Sequence, residues 1–148
     1  MKFSEAGINL LEDLEGKELT VYQDSSDKAT IGIGHLIKAG EHFTELTEEE
    51  VYDLLRKDLQ YVEKKLNQWI KPPITQNQYD AMVCLAFNIG AQKFLSSSVL
   101  RFFNLGHIED AAEAFLMWNK HTKMGRLVFS QGLMNRRKKE MKLFLAED

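Results

Sequence analysis

Leu14–His35 reads LEGKELTVYQDSSDKATIGIGH and carries two carboxylates and a hydroxyl at Glu15, Asp24 and Thr30. Eight residues separate the first two of these and five separate the last two. Glu15 ends a predicted helix over Ser4–Glu15. Ser4 is a favourable N-cap, Phe3 can staple onto Ile8, and Ile8, Leu11 and Leu14 form the apolar stripe. Gly16 supplies a left-handed stop. Leu19–Gln23 and Lys28–Gly34 then read as two strands. The turn between them, Asp24-Ser25-Ser26-Asp27, is rich in side chains that bond their own backbone.

Beyond this hairpin the chain reads as helix. Thr47-Glu48-Glu49-Glu50 is a capping box with acids crowded into the first turn. Val51, Leu55, Leu59, Val62, Leu66 and Trp69 keep one face apolar, and Lys71-Pro72-Pro73 ends the helix. Thr75-Gln76-Asn77-Gln78 is a second capping box, starting a helix to about Ile89 that Gly90 stops. Further helices fit Ser97–Asn104, Ile108–Asn119 and Leu133–Ala146, with Gly106, Gly125 and Gly132 as punctuation. The fold class is α+β, mostly helical, with one hairpin near the start.

Composition excludes several classes. The 148 residues suit one domain with a real core, and no apolar run approaches the roughly 20 residues that cross a bilayer. The start, MKFSEAGINLLEDLEG, lacks a cleavage site and does not read as a signal peptide. The single Cys84, in AMVCLAF, cannot form an internal disulfide and reads as a buried, inert thiol. Residues 1–60 hold 6 Lys and Arg against 14 Asp and Glu, a net of −8, whereas residues 61–148 hold 13 against 8, a net of +5. The long helix thus reads as a strut between an acidic mixed lobe and a basic helical one. The basic part could attract an anionic polymer or be no more than a solvated surface. No nucleic-acid motif is present. His42, His107 and His121 are scattered, so no metal site is expected. Asp24–Asp27 lacks the glycine and distal Glu of a calcium loop, and GIGH lacks the lysine of a phosphate loop.

Acid-catalysed glycoside cleavage needs two carboxyl groups in different environments. Glu15 follows Ile8 and Leu11 at helical spacing and sits at the negative end of a helix dipole. Burial and the dipole both favour a protonated acid there, although a partly exposed Glu at a helix end is the common alternative. Asp24 opens a turn, where it stays ionised as a water-holder or serves only as an Asx-turn residue. On a continuous second strand Lys28, Thr30, Gly32 and Gly34 share one face, and Ala29, Ile31, Ile33 and His35 the other. The two glycines leave room beside Thr30 for a substrate, or merely relieve a bent hairpin. His35 on the inner face and Asp58 at the edge of the long helix's apolar stripe are in position for a structural ion pair between hairpin and strut.

Glu15, Asp24, Thr30 and the following IGIGH resemble, in place, the pattern of the phage-type lysozymes of glycoside hydrolase family twenty-four. TQNQYDAMVCLAFNIG, Ser97–Arg101, AAEAFLMW and GLMNRRKKE are similar to later landmarks of that family in order. The resemblance implies a muramidase cutting the β-1,4 bond between N-acetylmuramic acid and N-acetylglucosamine, without a cofactor. It implies a single lysozyme-like domain over 1–148, with an active-site lobe at about 16–58 and a helical lobe at about 72–148 on which the first helix packs, and a groove between the lobes. Glu15 would then be the acid, and Asp24 with Thr30 would hold water for an inverting displacement. The likeness supports the His35–Asp58 pair and puts Phe87 and Asn88 in the groove, with Leu36 and Ser97 as further substrate contacts. An arginine is expected to approach Glu15 at moderate distance, with Arg126, Arg136 and Arg137 as candidates. The partner is peptidoglycan glycan, with no nucleic acid and no stable membrane anchor. The enzyme is expected to be a monomer, made in the host bacterial cytoplasm and reaching the periplasmic wall through a separate holin-type pore. A lytic transglycosylase and a non-catalytic wall-binding module are the competing functions. The basic last segment is amphipathic through Leu133, Met141 and Phe144, as a packed core helix would be, or a lipid-touching one.

Overall fold

A computed structural model describes residues 1–147, so that only the last position of the expected domain, Asp148, lies outside the described residues. The chain begins with α1 (Glu5–Glu15), β1 (Glu18–Gln23), β2 (Ala29–Gly32) and β3 (His35–Leu36). It continues with α2 (Glu48–Trp69), α3 (Gln76–Ile89), α4 (Ala91–Leu95), α5 (Ser98–Asn104) and α6 (Ile108–Ala114). A 3-10 turn (Phe115–Met117), β4 (Lys120–Lys123), β5 (Arg126–Phe129) and α7 (Gln131–Leu145) complete it.

The caps read from the sequence are present. Ser4 accepts from the Gly7 amide and donates to buried Asp80 of α3, which docks α1 onto that helix. The Phe3 ring covers Gly7, where a Cβ would meet it at 2.5 Å. Both capping boxes are complete at Thr47 and Thr75. The apolar stripe of α2 is buried from Val51 to Leu66, but Trp69 is exposed and does not extend it. α3 is the central helix, with Tyr79 to Ala86 all buried. Burial pushes the Cys84 thiol well above its ordinary range, as an inert structural thiol requires. α7 packs along α3 and buries Arg136, Arg137, Glu140 and Phe144, so the last segment is a core helix.

Three expectations are corrected. The strand expected over Lys28–Gly34 breaks at Gly32. Gly32 and Gly34 have φ of +69° and +66°, and the chain turns there before pairing again as β3. Simple alternation across Thr30 and His35 therefore fails. Thr30 is 2 % exposed, so the glycines open no space for a bulky ligand at its side chain. Second, the helix expected over Ile108–Asn119 ends at Ala114, and the chain forms a second hairpin, β4–β5. Third, Gly132 lies inside α7 rather than between elements.

One hydrophobic cluster runs through the molecule. Ile31, Ile33 and Leu46 from the hairpin region join Val51 to Leu66 of α2 and the buried face of α3. Over this shared core lies a cleft of about 480 Å³, bounded by Gly34–Glu41, the Leu54–Val62 stretch of α2, and Ala86–Ala91 at the junction of α3 and α4.

Candidate active site

Glu15 is the last residue of α1, and its side chain is 15 % exposed. Oε2 pairs directly with Arg136 of α7. Oε1 lies against Gly34, where a Cβ would stand 2.5 Å from it. The moderate distance expected for an arginine is therefore corrected to contact. Of the three candidates, Arg136 makes that contact; Arg126 is exposed on β5, and Arg137 turns to Asn88 and Glu140. The cause is donor satisfaction. Arg136 is buried, and its fork must end on acceptors: Glu15, Glu140 Oε2 at 3.1 Å and the Cys84 carbonyl at 3.1 Å. Burial opposes its charge, but the two carboxylates outweigh burial and hold its pKa above the ordinary value. Burial dominates at Arg137, pushing it down to about 10 against the pull of Glu140. Glu140 is raised by burial, with the two arginines opposing.

Asp24 closes the hairpin. Its Oδ1 accepts from the amides of Ser26 at 2.8 Å and Lys28 at 2.9 Å. Both turn bonds fall on Oδ1. Thr30 donates its hydroxyl to the Lys28 carbonyl at 2.8 Å. Tyr22, which the sequence reading missed, stands opposite Thr30 in the β1–β2 ladder. The two side chains thus share a face, and Asp24 lies two residues along from Tyr22. Burial raises the Tyr22 phenol, and the charges of Glu15 and Asp24 raise it further. One phenol therefore feels both carboxylates. The sequence signal was the β1 alternation itself, with Tyr22 and Asp24 two apart.

His35 has both ring nitrogens engaged, Nδ1 with Asp58 at 2.7 Å and Nε2 with Glu41 at 3.0 Å. Glu41 also accepts from the Lys38 amide at 2.7 Å, and the Phe43 ring meets His35 edge-on. Burial works against the charged imidazole, but the hydrogen bonds to Asp58 and Glu41 prevail and raise its pKa. The partner Glu41 was not anticipated, because it sits in an irregular segment with no periodicity to read.

The phage lysozyme pattern matches residues 12–140. The chain belongs to the phage lysozyme family. It is 40 % identical over 150 residues to the endolysin of Salmonella phage P22, covering 99 % of each chain. It is similar in structure to an endolysin from Escherichia coli O157:H7 phage FAHEc1, at TM-score 0.90 and 35 % identity over 98 % of this chain and 94 % of that one. It is also similar to the muramidase domain of SpmX from Asticaccaulis excentricus, at TM-score 0.87 and 35 % identity over 99 % of each.

The remaining residues singled out in this phage lysozyme family chain fall into two groups. Leu36 and Phe87 both line the cleft, and the Phe87 ring edge approaches Gly34 beside Glu15. Asn88 is exposed at the end of α3, with its carbonyl oxygen held by Arg137. Ser97 is buried and is not among the residues lining the cleft; its hydroxyl donates to the Phe94 carbonyl at 2.7 Å and accepts from the Leu100 amide at 3.3 Å, capping α5.

Proposed function

We propose that the chain is a lysozyme-type endolysin that lyses peptidoglycan by hydrolysing the β-1,4 bond from N-acetylmuramic acid to N-acetylglucosamine, with inversion. Glu15 is the general acid. Arg136 holds Oε2, and Oε1, on the Gly34 side, gives its proton to the leaving glycosidic oxygen. Asp24 and Thr30 hold the attacking water. Because Thr30 already donates to Lys28, it can only accept from that water, as Asp24 does. A water with both protons engaged turns a lone pair toward the anomeric carbon. As the new C–O bond forms, Asp24 takes a proton from the water, and the old C–O bond breaks onto the oxygen protonated by Glu15. Inversion on this scheme calls for carboxyls about 6.5–9.5 Å apart.

The observation that carries this reading is Glu15 at the end of α1, held by Arg136 with Oε1 turned to Gly34 at the rim of the cleft that Leu36 and Phe87 line. Glu15→Gln should keep the fold by circular dichroism and lower turnover on purified sacculi by about 10²–10⁴-fold. Near-normal clearing would overturn the assignment. Anomeric NMR on a defined glycan should give the α product first; a β product first means retention. Anhydro ends in the mass spectrum would make the enzyme a transglycosylase, and sedimentation with sacculi without released fragments would make it a wall binder.

The same proposal takes the enzyme to be a monomer, made in the host bacterial cytoplasm and delivered to the wall through a holin-type pore. Cells expressing it alone should stay intact until a pore-forming protein is co-expressed. Prompt lysis without one removes that dependence.

A further inference from the structure

The hairpin β4–β5 holds none of the side chains of the site described above, and its surface gathers cations and large apolar groups in one short stretch. Between Glu113 and Glu140 there is no acidic residue, and there are seven Lys and Arg. Arg136 and Arg137 are buried, while Lys120, Lys123, Arg126, Lys138 and Lys139 are exposed. Large apolar side chains stand open among these cations. Met124 is 95 % exposed and Leu127 72 %, and Val128 and Phe129 are exposed as well.

The register divides these residues between two faces. Lys120 pairs with Phe129 and Thr122 with Leu127, so these four share one face. His121 with Val128 and Lys123 with Arg126 take the other. Both faces therefore carry an apolar side chain in water. Met124 and Gly125 have φ of +52° and +77° and close the ribbon as a two-residue turn, which puts Met124 at the tip between Lys123 and Arg126. A solid partner surface covers one face of a two-stranded ribbon; a fluid medium closes around the tip and both faces. The polar strands of a cell wall would also gain little from burying methionine and leucine. Apolar groups at the tip with cations just behind them suit a layer that is anionic outside and apolar beneath.

We propose that the β4–β5 hairpin is a membrane-contact device that enters the headgroup layer of an anionic phospholipid bilayer tip first. Met124 and Leu127 reach the acyl boundary, and Lys123 and Arg126 meet the phosphates. Leu127 lies two strand residues from the tip, about 7 Å, within the depth of about 5–10 Å that interfacial elements reach. Such contact would hold the enzyme at the membrane before it gains access to the wall.

The test is co-sedimentation of the full chain with phosphatidylcholine vesicles, with and without phosphatidylglycerol. Binding is expected only with phosphatidylglycerol, and it should weaken as salt is raised. The double substitution Met124→Asp with Leu127→Asp should abolish it. Lys123→Gln and Arg126→Gln should each weaken it about fivefold. All of these variants should digest purified, lipid-free sacculi at the wild-type rate, which separates the proposal from the catalytic assignment. If the aspartate variant fails to fold, the two glutamine variants carry the test. Absence of binding to anionic vesicles overturns the proposal, as does binding that the variants leave unchanged. Loss of sacculus binding instead of lipid binding also overturns it, and assigns the hairpin to the wall.

Discussion

Gly34 has a neighbour that no side chain could share space with. Its φ of +66° is left-handed, and a Cβ there would stand 2.5 Å from Glu15 Oε1 and 3.1 Å from the Phe87 ring. Gly34→Ala is therefore expected to cost about 1–2 kcal/mol from the backbone alone. The effect on turnover should be larger. The carboxylate is pinned on its other side by Arg136, so the new methyl must push Oε1 out of line, and displacements of about 1 Å in an active site can cost roughly a hundredfold. A urea melt with a sacculus-clearing assay checks both; full activity would mean that Oε1 is not the oxygen that reacts. The places of Glu15 at a helix end and of Asp24 and Thr30 on a hairpin were legible at this scale because the patterns that set them are local. Arg136 on Glu15 was legible only as one of three candidates, because the partners are 121 positions apart in the chain and no local pattern selects which arginine the packing delivers. Ser97 was ambiguous for a related reason: serine before an apolar run serves a helix cap as readily as a sugar, and here its hydroxyl caps α5.

Among the elements, α7 connects the core to the chemistry. Its Arg136 touches Glu15, Glu140 and the carbonyl of Cys84, so one side chain ties α7 to α1 and α3. Glu140 is completely buried, and its charge is tolerated only beside Arg136 and Arg137. Arg136→Leu should therefore destabilise the fold by about 3–5 kcal/mol, the usual cost of stranding one member of a buried ion pair. Urea unfolding measures it, and an unchanged midpoint would show that the buried carboxylates do not depend on Arg136. The capped helices were readable because Thr47 and Thr75 are followed by Glu50 and Gln78 in capping boxes, ahead of long apolar stripes. The hairpin β4–β5 was not readable. Strand alternation is a signal of half-burial, and seven of its eight strand residues face water. Its turn also places Met124, not Asn or Asp, in the left-handed region.

Across the whole molecule, the acidic early half and the basic later half meet over one continuous core, and His35 fastens the hairpin region to α2 from inside that core. The helical character was legible because α2 keeps its stripe from Val51 to Leu66; where β2 would turn was not, because Gly32 and Gly34 suit both a strand face and a bend. The His35 contact has a pH signature. Burial disfavours the imidazolium, yet Asp58 and Glu41 overcome it, so the folded state holds the proton more tightly than the unfolded chain does. Stabilisation by the charged pair is then complete below the unfolded value of about 6.5 and is lost as pH rises through the folded one. A hydrogen bond to a charged group contributes about 1.5–3 kcal/mol. Asp58→Asn should accordingly lower Tm by several degrees at pH 5.5 and by progressively less above pH 7, and an NMR titration should show the His35 value falling toward 6.5 in the variant. A gap in Tm that stays constant from pH 5.5 to 9 would mean that the contact acts through packing and not through charge.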